Sequence, residues 1–259
     1  MNIADMGEFR AKLVRGERLI GTFIKSPTTH AIEILGDLGF DFVVIDIEHG
    51  TFDRIALDMA VLAARASGLA ALVRIDAAEP ARILQALDAG AAGILAPHVS
   101  SVETAKVVAN ACRYERGSRG FSASTRAGRF GAVSRWDHVR GADKGVVVIA
   151  QIEDPSALDH LEAIVGVEGI DALFIGRGDL TVALGLESSE GPEMTAIVAQ
   201  IAGAAKRGGK AICGFAAGID EAVKLSEVGA TLLVISSDQG FLRRDAARTL
   251  KDARERIRA

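Results

Sequence analysis

Glu153 and Asp179 are the side chains in this sequence most readily assigned a chemical task. Glu153 closes the apolar run VVVIAQIE, which starts at Val146, and Asp179 lies in the glycine-rich run FIGRGDL that follows the next apolar stretch. Such stretches read as parallel β-strands covered on both faces, and neighbouring strands lie about 5 Å apart. Acids beyond the same end of adjacent strands can therefore share one divalent cation. Other polar side chains end further apolar runs: Asp46, Glu48 and His49 in IDIEHG, Arg74 in LVRI, and Gln151 just ahead of Glu153. Histidine is suited to proton transfer near neutral pH, and Asp46, three residues ahead of His49, could orient its ring. Arg74 interrupts an otherwise apolar strand, where a guanidinium must meet an anion or a polarised oxygen.

Each of these residues also has a plainer reading. Arg74 could form a structural ion pair with Asp46 or Glu48, and His49 could be an ordinary surface histidine. Asp179 could cap the helix suggested by LTVALG, and Gly176 and Gly178 could serve a tight turn. Every plain reading would have to hold at once, at one rim, and that favours a shared site.

Such a rim needs a scaffold with many strand ends side by side. Apolar, β-branched runs recur at LIGTFI, FDFVVID, LAALVRI, AAGILAP, VVVIAQIE, IDALFIG, KAICGF and ATLLVIS, and alanine-rich stretches of helical spacing lie between most of them, such as Arg54 to Ser67, Pro80 to Ala89 and Glu193 to Arg207. About eight strands alternating with helices over about 250 residues is the pattern of an α/β (β/α)8 TIM barrel. An open doubly wound sheet is the competing architecture, but no dinucleotide-binding fingerprint is present. Residues 1–259 are read as a single domain. The junctions Asp88-Ala-Gly-Ala and Val228-Gly-Ala fit helix C-caps leading into the next strand. One segment, 114–145, breaks the alternation and reads as a long Arg-rich loop, with Arg116, Arg119, Arg126, Arg129 and Arg135 available to an anionic substrate or, more favourably, to a subunit contact.

Composition narrows the function. With 259 residues, 49% of them hydrophobic, the chain can bury a large core. The formal net charge of -4 gives no pull toward nucleic acid or an anionic membrane. Cys112 and Cys213 have no metal-ligand spacing and read as buried free thiols. The opening MNIADMGEFRAKL does not resemble a secretory signal, and no apolar stretch reaches the roughly 20 residues that span a bilayer. A cytoplasmic enzyme that binds neither nucleic acid nor membrane is the expectation.

Taken together, IDIEHG, LVRI, ALDAGAAGILAP, VIAQIEDP and FIGRGDL resemble the HpcH/HpaI family of metal-dependent, class II pyruvate aldolases, which is related to the 2-keto-3-deoxy sugar-acid aldolases. The resemblance runs in family order from Gly21 to about Leu242. It implies that Glu153 and Asp179 ligate the metal, that Arg74 contacts the keto oxygen and stabilises an enolate, and that His49 and Asp46 belong to the acid/base relay. It places Gln151 near metal and substrate, and Gly176, Gly178 and Asp179 in the turn whose amides hold the substrate carboxylate. Asp88 matches an acid that reaches the active site of a neighbouring subunit, and the implied assembly is a homo-oligomer, a hexamer built as a trimer of dimers. One departure stands out: Arg177 occupies the position of a family proline, with Gly178 before Asp179, so a flexible charged residue replaces a rigid one.

The chemistry follows. Carboxylates with open water positions suit Mg2+ or Mn2+, with Co2+, Ni2+ or Zn2+ also compatible. Such an ion acts as a Lewis acid on a 2-oxo acid, so pyruvate serves as the nucleophile through a metal-bound enolate and an aldehyde as its partner in making or cleaving 4-hydroxy-2-oxo acids. No Schiff-base lysine is needed, and Lys25 is the one to exclude. Two alternatives stand beside this: an acyl-CoA lyase of the citrate-lyase β-subunit kind, and a catalytically silent metal-binding regulatory barrel. A two-carboxylate glycosidase is disfavoured, since one Trp and one Tyr leave little for sugar platforms.

Overall fold

The computed structural model describes residues 3–257. Its elements run α1 (Ile3–Val14), β1 (Leu19–Ile24), α2 (Thr29–Asp37), β2 (Phe42–Asp46), α3 (Arg54–Ala66), β3 (Ala70–Arg74), α4 (Pro80–Asp88), β4 (Gly93–Ala96), α5 (Val102–Ala111), α6 (Arg135–Gly145), β5 (Val147–Ile152), α7 (Leu161–Val165), β6 (Ala172–Ile175), α8 (Arg177–Ala183), α9 (Pro192–Arg207), β7 (Ala211–Ala216), α10 (Ile219–Glu227), β8 (Leu232–Ser237) and α11 (Asp238–Ile257). The strands pair in parallel in chain order, and β8 closes on β1. The fold is therefore the expected (β/α)8 barrel, and each of the eight apolar runs supplies one strand.

Strand alternation divides the core in two. Along β2, Val43 and Ile45 pack outward against the helices, whereas Phe42 and Val44 point into the barrel with Leu72, Leu95, Ile149, Phe174 and Val234. Carried to the strand ends, the inward phase passes through Asp46 in β2, Arg74 in β3, and Gln151 and then Glu153 in β5. The period of two that fills the barrel with apolar side chains thus aims these polar ones over its C-terminal mouth. At the opposite end, Gly90 and Gly229 take φ of 97° and 99°, the left-handed cap expected where a helix turns into the next strand.

The segment 114–145 is not all loop. A short 3-10 turn occupies Arg129–Gly131, and α6 forms where the high charge had suggested none. Ser134 caps α6 by accepting the Asp137 N–H at 3.3 Å, and the helix buries His138, Val139 and Ala142. His138 is held by the Tyr114 hydroxyl, 3.0 Å from Nε2. Both cysteines are buried, and burial pushes the Cys112 thiol up to about 12. No helix among the described residues is long and apolar enough to cross a membrane.

Candidate active site

Asp46 and Arg74 sit opposite each other in the β2–β3 register, which makes them partners. Arg74 Nε and Nη2 donate to the two Asp46 oxygens at 2.9 and 2.7 Å, and Nη1 lies 3.3 Å from Glu48. Arg74 is 6% exposed and its guanidinium stands 4.7 Å from the Phe23 ring centroid. Burial works to raise the Asp46 carboxyl, but the hydrogen bonds and charge of Arg74 outweigh it and hold Asp46 below the usual carboxylate range. The ion pair offered as the plainer reading of Arg74 is therefore formed. The fork-to-carboxylate geometry locks the guanidinium while leaving hydrogens on Nη1 and Nη2 free for another oxygen.

His49 differs from expectation. Its backbone N–H, not its ring, meets Asp46 at 3.2 Å; ring Nε2 lies 3.8 Å from Glu48 instead. The reason is the register: Asp46 faces Arg74 across the sheet and gives both oxygens to it, and the backbone that turns away at His49 shares the oxygen that accepts from Arg74 Nε. Lys25, just beyond β1, places Nζ 3.5 Å from Asp46.

Glu153 is 3% exposed, with no lysine or arginine paired to it among the described residues. Its Oε1 accepts the His98 N–H at 2.7 Å, and its Oε2 accepts from the Gln151 side-chain amide. Burial pushes its carboxyl up to about 7; the His98 N–H and ring charge pull down, and the nearby Asp179 and Glu48 push up again. The β6 turn comes unusually close, since a Cβ on Gly176 would lie 2.5 Å from Glu153 Cβ. Only glycine fits there, and its absence of a side chain is what lets the Asp179 turn approach Glu153. Gly178 has open space around the position a Cβ would take.

The turn is held by the residue that replaces the expected proline. Arg177 is the first residue of α8, and its Nη2 reaches the Phe215 carbonyl at 2.8 Å and Glu221 at 2.6 Å. Glu221 also lies 3.3 Å from the Ala217 N–H. The side chain expected to be flexible is thus a clamp joining the ends of β6 and β7 to α10. A cavity of about 330 Å³ opens above these groups, lined among others by Lys25, Arg74, Gln151, Gly178, Asp179 and Ser237.

Two predicted features lie elsewhere. Asp88, at the end of α4, pairs with Arg119 at 3.3 Å and does not line the cavity of its own chain. The 114–145 segment contributes none of the lining; Arg126 pairs with Asp58 at 2.6 Å and Arg119 stacks 4.4 Å from the Tyr114 ring centroid. One residue at the rim was missed. His98, beyond β4, joins Glu48 and Glu153 in a group whose potential ligand atoms all lie within 4.8 Å of one another. Its position after a strand and next to Pro97 was the available signal, but a single histidine there reads equally well as surface.

A buried carboxylate with no lysine or arginine partner among the described residues, a second acid near it and a buried Gln151 Oε1 lacking any hydrogen-bond partner among them fit a divalent cation. Comparison with known proteins points the same way. The family described as HpcH/HpaI aldolase/citrate lyase matches residues 19–244. A 5-keto-4-deoxy-D-glucarate aldolase of Klebsiella pneumoniae is 34% identical over 95% of this chain and 96% of its own. Among solved structures, an HpcH/HpaI aldolase/citrate lyase family protein from Burkholderia cenocepacia superposes with a TM-score of 0.91 at 30% identity, covering 96% of this chain and 99% of the other. An HpcH/HpaI aldolase from Desulfitobacterium hafniense does so with a TM-score of 0.89 at 28% identity, covering 95% and 96%.

Proposed function

Because the chain belongs to the HpcH/HpaI aldolase/citrate lyase family and is a metal-dependent aldolase, a carbon–carbon lyase, we propose that it makes and cleaves 4-hydroxy-2-oxo acids, with pyruvate or a close 2-oxo acid on one side and an aldehyde on the other. The observation that carries this reading is Glu153, a buried carboxylate with no lysine or arginine partner among the described residues, near Asp179, which lines a cavity together with Arg74 and Gln151.

Glu153 and Asp179 would hold the divalent ion, with Mg2+ or Mn2+ the first candidates. An ion bound there would supply Lewis-acid chemistry, polarising the keto group of the 2-oxo acid and acidifying the protons on the adjacent carbon. Arg74 directs its free Nη hydrogens at the keto oxygen, where negative charge grows as the reaction proceeds, and Asp46 fixes the direction of that fork. In cleavage, His49 takes the proton of the 4-hydroxyl, directly or through a water, with Glu48 beside its ring. The C3–C4 bond then breaks, its electron pair passes into the 2-oxo group, the aldehyde departs, and C3 is protonated to give pyruvate. The amides of Gly178 and Asp179, at the start of α8, receive the substrate carboxylate, Gly176 lets that turn close on Glu153, and Gln151 steadies Glu153.

A homo-oligomer, hexameric as a trimer of dimers, and a cytoplasmic setting belong to the same reading. Support for association comes from α11, 20 residues long with none buried, whose Leu242 is 73% exposed and Ile257 82% exposed. Asp88 would then act on a neighbour's site.

The relatives' name makes the six-carbon dicarboxylate 5-keto-4-deoxy-D-glucarate the first substrate to try. Pyruvate release from it and from shorter 4-hydroxy-2-oxo acids should require Mg2+ or Mn2+, stop with chelator and return when the ion is restored. Release at full rate from metal-free protein would contradict the reading.

A further inference from the structure

We propose that His98 is a nitrogen ligand of the cation held by Glu153, with Glu48 as its neighbouring donor. This rests on the reading that a cation binds at Glu153, and it extends the donor set.

Alternation along β4 explains why the residue must be deliberately placed. Leu95 points into the barrel and Ala96 outward, so two residues on, His98 would face outward too. It does not, because His98 has φ 53°, a left-handed backbone that non-glycine residues adopt at a cost, histidine more readily than most. That turn brings both the His98 N–H and the ring onto Glu153: the N–H donates to Oε1 at 2.7 Å, and Nδ1 lies 3.4 Å from the same oxygen.

The ring's other contacts set its tautomer. Nδ1 lies 3.3 Å from both oxygens of Asp154, which favours the proton on Nδ1. Nε2 then carries a lone pair, 3.7 Å from Glu48 Oε1. A metal-bound imidazole almost always donates its other N–H to such a carboxylate. With bonds of about 2.0–2.2 Å to nitrogen and oxygen, two donors on one ion sit roughly 3–4 Å apart, and the gap between Nε2 and Glu48 falls in that interval. Gln151 Oε1, on the residue whose amide donates to Glu153, is buried without a hydrogen-bond partner among the described residues, while Glu48 Oε2 faces Arg74 Nη1 at 3.3 Å and leaves Oε1 to the His98 side.

The plain rival is a protonated His98 paired to Glu48, Glu153 and Asp154, with the ion elsewhere. An imidazole donor shifts preference toward Co2+, Ni2+ and Zn2+ relative to an all-oxygen site, which gives the two readings different consequences.

The test uses the full chain, stripped by chelator and loaded with Mn2+, with no substrate present. Pulsed electron paramagnetic resonance should show the hyperfine coupling of a directly bound nitrogen. His98→Asn, which tolerates the left-handed backbone, and His98→Gly, which relieves it, should both bind Mn2+ without that coupling. Calorimetry should show Co2+ and Zn2+ binding weakened about 10-fold or more in either variant, the range for disturbing a metal–histidine arrangement, with Mg2+ affected far less. If Mn2+ binds, is weakened by Glu153→Gln, and shows no nitrogen coupling, or a coupling that survives both His98 variants, His98 is not a ligand while the cation reading stands. If no divalent ion binds the parent protein at all, both readings fall.

Discussion

Arg74 faces two ways, and its chemistry depends on the second. Its bidentate contact with Asp46 is structural, but the remaining Nη hydrogens meet a charge that exists only as the substrate's keto oxygen gains electrons. Arg74→Ala should therefore lower kcat by about 10²-fold or more with little change in KM, the usual scale for losing a preorganised oxyanion donor. Arg74→Lys should recover little, since an ammonium cannot reproduce the fork. If Arg74→Ala instead raises KM alone, measured in steady-state kinetics, the residue is a carboxylate clamp. Much at this level was legible in the sequence: Glu153, Arg74 and Asp46 end apolar runs, and strand alternation aims all three at one mouth. Partner choice was not. That Asp46 meets the Arg74 side chain and only the His49 backbone depends on the β2–β3 register, and His98 reaches the site only because its backbone breaks the alternation that makes the others readable.

Elements follow the same division between periodic signal and local exception. The eight strands were readable because parallel strands buried on both faces are nearly unbroken apolar runs. Helix α6 was hidden, since its composition is charged and its stability comes from the Ser134 cap, from packing on α1 and from burying His138 beside Tyr114 and Phe121. The α8 turn shows how one position can be solved in two ways. Arg177 is the first helical residue, where proline's fixed φ is pre-organised for the helix and its missing N–H costs nothing. Here the side chain does that job instead, through Glu221 and the Phe215 carbonyl. Glu221→Ala should loosen the Asp179 turn and weaken metal affinity several-fold, whereas Arg177→Pro should retain it, as read by Mn2+ calorimetry. Equal affinity in parent and Glu221→Ala would show that the clamp has no part in holding Asp179.

The assembled chain leaves one long element only partly covered. Helix α11 contacts the barrel near β1 and β8 and through Phe241 against Phe40, yet none of its residues is buried. Leu242, Leu250 and Ile257 remain exposed on it. Exposed apolar side chains along such a helix are more stable covered, and a second copy is the partner always present. Light scattering should find an oligomer at working concentration, and Asp88→Ala should lower its activity even though Asp88 lies away from the cavity of its own chain. A fully active monomer would reduce Asp88 to an ion-pair partner of Arg119. Proton exchange probes what lies upstream of all these features, the removal of a proton beside a carbonyl at a carboxylate-held cation. With pyruvate in D2O, followed by proton NMR, the intact protein with Mg2+ or Mn2+ should exchange the methyl protons, while chelated protein and Glu153→Gln should not. Exchange by Glu153→Gln or by metal-free protein at the parent rate would show that Glu153 and its cation do not carry the reaction.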